Sequence, residues 1–320
     1  LRRGGGLGDI IFVLSVAAKA KRLGCEVAVA CDECWRPLVE RCNEVDHVLD
    51  VRKCRPEGQT CFDVVVDFAG VIEGKSARTA IKSDYYLAHL NWAGLKPPVV
   101  LPTFSFSREP IHEGRYICVH TGGSWDKKRW PYWREFCELL DRYKYSYVSI
   151  GGPGDESFGV SYVGQLDIDD TARLILQSDG LVGVDSGLTH LAGVLGVPSV
   201  SLWGPFDPNL TLPYYANAAS IRSSAPCSPC FRLRKTCDVK PNCMSRIDVR
   251  SVFEVVRRHL RLFPRKAQIQ ADISLSPKLY LDGKPVSGFP ETKPLVSIVI
   301  PHFRTEEYLP KLFSSIEKHT

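Results

Sequence analysis

The sequence has a single methionine, Met244, and opens on Leu1 rather than on an initiator, so the expectation is a fragment or a processed product. It has no uninterrupted apolar run of about 18 residues, the minimum for a membrane-spanning helix. It also has no stretch with the pattern of a secretory signal. The apolar stretch 181–203 is interrupted by Asp185, His190 and Pro198. A strong charge bias is missing too. The net charge of +5 comes from 41 basic and 36 acidic residues, and the basic ones are dispersed until the last third. That excludes a nucleic-acid stripe but suits an acidic substrate such as a nucleotide sugar. No repeat of 20–50 residues is visible, which excludes solenoids and propellers.

What remains is an ordinary globular composition. The 320 residues are 44% hydrophobic and 24% charged, enough for about two domains with substantial cores. Of the twelve cysteines, eight are scattered, several inside expected strands or helices. They read as reduced, mostly buried thiols of a cytoplasmic protein. The other four, Cys227, Cys230, Cys237 and Cys243, form a compact set.

The most informative stretch is 181–208, LVGVDSGLTHLAGVLGVPSVSLWGPFDP. Short apolar runs broken by Gly and Pro, with a short helix between them, describe a βαβ unit of a parallel sheet. The turn at Asp185 then falls at the carboxyl end of its strand, where open α/β sheets bind ligands. The next helix offers the N–H groups of Gly187, Leu188 and Thr189, which suit a phosphate. Asp185 and His190 are polar within an apolar run, and on their own they could equally be turn and core residues.

The chain divides by pattern. Residues 1–108 read as a small doubly wound domain: a strand stub, a Gly-rich turn, a helix from Asp9 to Gly24, and strands at 26–30, 45–51 and 63–68. Helical signal lies at 35–42 and 79–93. Residues 109–263 read as a second α/β domain, with strands at 116–120, 147–150 and 162–163 and helices from Pro131 and over 169–178. Residues 264–293 are Pro-rich and aperiodic, a linker. At 294–320 a buried strand (LVSIVI) and the start of a helix open a further α/β domain.

Three motifs, GGGLGDII at 4–11, HTGGSWDKKRWP at 120–131 and VDSGLTHLAGVLGVPSVSLWGPFDP at 184–208, together resemble glycosyltransferase family 9 over most of residues 1–263. That family includes the ADP-heptose:lipopolysaccharide heptosyltransferases. The resemblance implies a GT-B fold, two Rossmann-like parallel-sheet domains facing a cleft. It also implies a nucleotide-sugar donor and inversion at the anomeric carbon without a metal. PLVSIVIPHFRTEEYLPKLFSSIEKHT at 294–320 resembles the opening of a family 2 glycosyltransferase, although His302-Phe303-Arg304 stands where Tyr-Asn is usual.

Asp9 could simply cap its helix. An inverting transfer needs a carboxylate to take the proton of the acceptor hydroxyl, and the resemblance assigns that part to Asp9. Lys127, Lys128 and Arg129 could be a solvated basic run. By resemblance, Lys128 neutralises the departing diphosphate, with the hydroxyls of Thr121 and Ser124 in reach. Asp185 would contact the donor sugar, Gly187, Leu188 and Thr189 would present N–H groups to the diphosphate, and His190 would brace the turn. Gly187 would let the backbone approach closely. The loop 151–156 (GGPGDE) would border the nucleotide.

Asp167-Ile168-Asp169 reads as a helix cap rather than a metal-binding D-x-D. The spacing Cys227-x2-Cys230-x6-Cys237-x5-Cys243 admits a structural zinc, reduced packing or a disulfide. The basic helix at 249–262 reads as packed on its domain, with a weak peripheral membrane contact as the alternative. The function expected is glycosyl transfer, of heptose or another sugar, to a glycan or lipid-linked, lipopolysaccharide-type acceptor at the inner face of a membrane. The alternatives are a non-catalytic sugar-nucleotide-binding module serving a downstream transferase, or a GT-B-like epimerase.

Overall fold

The computed structural model describes residues 1–54, 62–68, 100–123, 125–212, 215–230 and 236–260, with 280–281 and 284–285. The expected helix at 79–93, the linker and the strand and helix beyond residue 294 lie outside the described residues, apart from those two pairs. By contacts the chain divides into two units, Leu1–Ala267 and Gln268–Thr320. In the second, Tyr280–Leu281 pairs antiparallel with Lys284–Pro285. The first holds two α/β halves.

In the first half β1 (Ala28–Cys31) runs parallel to β2 (His47–Asp50). Arg2 adds parallel bridges to Ala30 on one side and Asp67 on the other. The strand stub therefore sits inside the sheet, as the pattern implied. Residues 63–68 differ from the buried strand expected: Asp67 forms a bridge and Phe68 is buried, but Val64 is 52% exposed. Val64, Val65 and Val66 line an apolar cavity with Leu1, Ala28 and Leu49. A continuous apolar run looks the same in sequence whether it is covered on both faces or lines a hollow. The helix expected at 35–42 is a 3-10 turn (Glu33–Trp35) followed by one α turn, α2 (Arg36–Val39).

Helix α1 (Leu7–Arg22) is buried nearly all round, from Ile10 to Ala18. A helix apolar on every side must have partners on every side. Ile10, Val13, Leu14 and Ala17 pack with Val29, Val39 and Phe68 of their own half. Leu7 and Ile11 pack with Leu188, Leu191 and Ala192 of the other.

The second half is a six-stranded, all-parallel sheet. Its strands are β3 (Ile117–His120), β4 (Tyr147–Ser149), β5 (Val160–Ser161), β6 (Leu181–Val184), β7 (Ser199–Trp203) and β8 (Ala218–Arg222). Their spatial order is β5-β4-β3-β6-β7-β8. The order reverses between β3 and β6, which pair in register Cys118↔Leu181. In such sheets the crevice outside the carboxyl ends at the reversal is where ligands bind.

Helices α3 (Trp133–Arg142), α4 (Ile168–Leu176), α5 (Gly187–Val194) and α6 (Val249–His259) complete this half. Asp167 caps α4 by accepting from the Asp170 N–H, the role its position suggested. Helix α6 buries Val252, Phe253 and Val256 in the core, so its apolar face is already covered. Among the described residues no helix is long and apolar enough to cross a membrane.

The two halves touch at the amino ends of α1 and α5. A Cβ on Gly187 would lie 2.6 Å from Leu7 Cβ and 3.0 Å from the Gly8 nitrogen. The close approach that glycine permits here is to the other half of the protein, not only to a ligand. Gly187→Ala should therefore force the helices apart and cost about 1–3 kcal/mol. Urea unfolding checks this, and an unchanged midpoint would contradict it.

Candidate functional site

The two turns at the reversal point carry the polar groups. After β3 the chain passes through Thr121–Gly123 into a 3-10 turn, Asp126–Lys128. After β6 it passes through Asp185 and Ser186 into α5. Lys128 Nζ lies 2.7 Å from Asp185 Oδ2, with both side chains largely buried, and also donates to the Asp185 carbonyl at 3.2 Å. A buried charge is tolerated when paired in this way. Lys128 sits 4.8 Å from the Phe206 ring, and Lys127 lies over Trp125 at 4.8 Å. Burial pushes the Lys127 ammonium down. The triplet 127–129 is thus not a solvated basic run, because two of its members are buried against aromatic rings and Asp185.

Asp9 is the third residue of α1, and Gly6 holds the N-cap position without any side-chain cap bond. The capping expectation for Asp9 therefore does not hold. Its Oδ2 lies 3.1 Å from Nη2 of the buried Arg3, and its side chain keeps 23% exposure. Arg3 is anchored in turn by donating from Nη1 to the Phe68 carbonyl at 3.0 Å. Gly5 and Gly6 curl around the carboxylate: a Cβ on either would stand 3.7 or 3.6 Å from Oδ2. Asp9 adjoins Gly8, whose nitrogen lies 3.0 Å from where a Cβ on Gly187 would stand, and its carboxylate is partly exposed.

The other expected residues divide. Gly187 and Leu188 open α5, and Thr189 ties its hydroxyl to the Val184 carbonyl at 2.9 Å. His190 is buried between the halves, its ring 5.0 Å from Phe12 and 5.9 Å from Tyr215, and it braces the contact. The Thr121 hydroxyl donates to the Glu156 carbonyl at 2.6 Å, a bond it would exchange in order to donate to a phosphate. Ser124 lies outside the described residues.

Cys227, Cys230, Cys237 and Cys243 are free thiols, so no disulfide joins them. Burial first, then the three other thiols, pushes Cys243 up to about 11. Among the described residues no group of three or more His, Cys, Asp or Glu side chains is placed to hold a metal ion.

Sequence reasoning left four residues unassigned: Ser186, His120, Asp155 and Arg3. Ser186 Oγ lies 3.1 Å from His120 Nδ1, and His120 Nε2 lies 3.6 Å from Asp155 Oδ2. The loop 151–156 was the only hint of Asp155. Burial pushes the Asp155 carboxyl up, but His120, the Gly152 N–H and Arg129 outweigh it and hold it below the usual carboxylate range.

Two Rossmann-like halves whose polar loops converge at their contact define a GT-B-type fold. The chain belongs to glycosyltransferase family 9: the family model, glycosyltransferase family 9 (heptosyltransferase), matches residues 77–241. Lipopolysaccharide heptosyltransferase 1 of Pseudomonas aeruginosa is 30% identical over 176 residues, covering 50% of this chain and 48% of that protein. The chain thus spans about half of this relative's length. A family 9 glycosyl transferase from Veillonella parvula superposes with a TM-score of 0.63 at 18% identity, over 81% of this chain and 96% of that one. The iron-containing dodecameric glycosyltransferase TibC from enterotoxigenic E. coli superposes with a TM-score of 0.59 at 17% identity, over 82% and 77%.

The depressed Asp155 carboxyl has a consequence for stability. A carboxylate held below its unfolded value stabilises the fold above about pH 4, and that contribution is lost as the pH falls further. Asp155→Asn should lower stability at neutral pH, and its deficit against wild type should shrink on acidification below about pH 4. Urea titrations across that range check it. A deficit that does not change with pH would contradict it.

Proposed function

We propose that this chain is an inverting glycosyltransferase acting on a nucleoside-diphosphate sugar, and that its transfer step needs no metal. The single observation that carries the proposal is the junction itself. Asp9 stands beside Gly8, Gly8 meets Gly187, and behind Gly187 lie the amino end of α5 and the Lys128–Asp185 pair. One half offers a base, and the other offers an anion site.

The donor diphosphate would sit on the N–H groups that open α5, with Lys128 beside it. The acceptor hydroxyl attacks the anomeric carbon from the face opposite the diphosphate. As the new C–O bond forms, the bond to the diphosphate oxygen breaks and its electron pair leaves with the nucleotide. Asp9 takes the hydroxyl proton. Lys128 and the helix N–H groups stabilise the growing negative charge, the work that a metal ion performs elsewhere. Asp185, at the same turn, would face the sugar. Arg3 positions the Asp9 carboxylate.

The relatives favour heptose carried on ADP as the donor. The similar protein of P. aeruginosa is a lipopolysaccharide heptosyltransferase, and TibC has been solved with ADP-D-β-D-heptose. A lipopolysaccharide-type, lipid-linked saccharide would be the matching acceptor, and the reaction would then run at the cytoplasmic face of a membrane. The boundaries at residues 108 and 263, the linker 264–293 and a family 2 domain from residue 294 are part of the same proposal.

Asp9→Asn should lower kcat by about 10²–10⁴-fold while leaving donor affinity nearly unchanged, and EDTA should leave the wild-type rate intact. Full activity in the variant would remove Asp9 from the mechanism. Donor turnover without acceptor would favour an epimerase, and donor binding with no turnover a binding module.

A further inference from the structure

We propose that His120, held by Asp155, controls the proton of the Ser186 hydroxyl at the amino end of α5, so that a nucleotide sugar binds there together with a proton. The inference rests on the donor site proposed above and assigns three positioning residues to it.

A serine at an N-cap ordinarily turns its oxygen to accept from an N–H of its own helix. Ser186 holds the N-cap of α5 in an extended conformation, φ −155° and ψ 170°, yet makes no such bond. Its Oγ instead lies 3.1 Å from His120 Nδ1. The other ring nitrogen faces Asp155 Oδ2 at 3.6 Å, and the His120 and Asp155 side chains are only 7% and 13% exposed. Little can turn here. A Cβ on Gly183 would come 3.2 Å from His120 Cβ, one on Gly151 would come 3.2 Å from its Cδ2, and one on Gly122 would overlap the Asp155 carboxylate.

The charges around the ring are few. The loop after β4 presents Asp155, on which Arg129 also acts. Strand β6 presents Gly183. The start of α5 presents Ser186, and the Asp185 before it is committed to Lys128 at 2.7 Å.

Two states follow. In neutral His120 the Asp155 carboxylate favours the proton on Nε2, so Nδ1 is an acceptor. The Ser186 O–H then donates to Nδ1, and its oxygen offers a phosphate only lone pairs. When Nδ1 takes a proton, the direction reverses: Nδ1–H donates to Oγ, and the Ser186 O–H is released to donate to a phosphate oxygen. It would do so beside the N–H groups of Gly187 and Leu188. The Thr121 hydroxyl donates to the Glu156 carbonyl.

The test is calorimetry with ADP-, GDP-, UDP- and dTDP-glucose in buffers of different ionisation enthalpy, between about pH 6 and pH 8. Their diphosphodiester has no group that titrates near neutral pH, so any proton taken up belongs to the protein. Wild type should take up a proton with the tightest of the four, and its affinity should fall by up to about tenfold per pH unit as the pH rises. His120→Gln and Ser186→Ala should each bind without proton uptake and with a flat pH profile. Ser186→Ala serves should the buried His120 variant fail to fold. Wild-type binding without proton uptake, or uptake that persists in the folded variants, would overturn the inference and leave the donor site standing. Failure of all four sugars to bind wild type would remove the donor site and the inference together.

Discussion

Two glycines, Gly8 and Gly187, set the geometry on which everything else depends. Where they meet there is little room: a Cβ on Gly187 would fall 2.6 Å from Leu7 Cβ, and one on Gly8 would crowd the His190 ring at 3.2 Å. The amino ends of two helices from two sheets are thereby brought together. Apolar side chains secure the contact, Leu7 and Ile11 from α1 against Leu188 and Leu191 from α5. Arg41, bonded to Asp169 at 2.6 Å, adds a second tie between the halves. Because an amino-terminal helix end carries free N–H groups and a partial positive charge, the junction favours an anion.

Charge is distributed around that junction in pairs. Asp9 is balanced by Arg3, Asp185 by Lys128 and Asp155 by His120. The Lys128–Asp185 and His120–Asp155 pairs each join the end of one strand–turn segment to another, so each helps fix the turn that carries it. A buried ion pair gains little net stability over apolar packing; its value here lies in holding charged groups where a ligand can exchange with a partner. A diphosphate would compete with Asp185 for Lys128, and that would free the Asp185 carboxylate for the hydroxyls of a sugar.

The second sheet was legible in the sequence because its strands are buried on both faces. YICVH, LVGV and SVSLW are continuous apolar runs ending in polar turns, which is what a parallel sheet requires. The turn at Asp185 was legible for the same reason. The first half was harder to read. Residues 63–68 are as apolar as a core strand, yet Val64 lines a hollow, a difference that one-dimensional patterning does not encode. Capping and proton transfer were both open for Asp9, because patterning does not separate the N-cap from the third helical position. The need for glycine at 187 was visible, but its main cause, a contact with residues 7 and 8, lies far away in the chain. His120 and Asp155 are separated by a helix and a strand, and only folding shows them as a pair. Ser124, the segment 69–99 and the chain beyond 294 are outside the described residues.

The central claim is that a donor anion site at the amino end of α5 and the Asp9 carboxylate serve one reaction across the Gly8–Gly187 contact. The most direct measurement is a crystal structure of the protein with a non-transferable 2-deoxy-2-fluoro nucleotide sugar. The account predicts the diphosphate on the N–H groups of Gly187 and Leu188 with Lys128 beside it. It also predicts the Asp9 carboxylate on the face of the anomeric carbon opposite the leaving oxygen. A diphosphate bound away from α5, or an anomeric carbon whose open face is turned from Asp9, would contradict it.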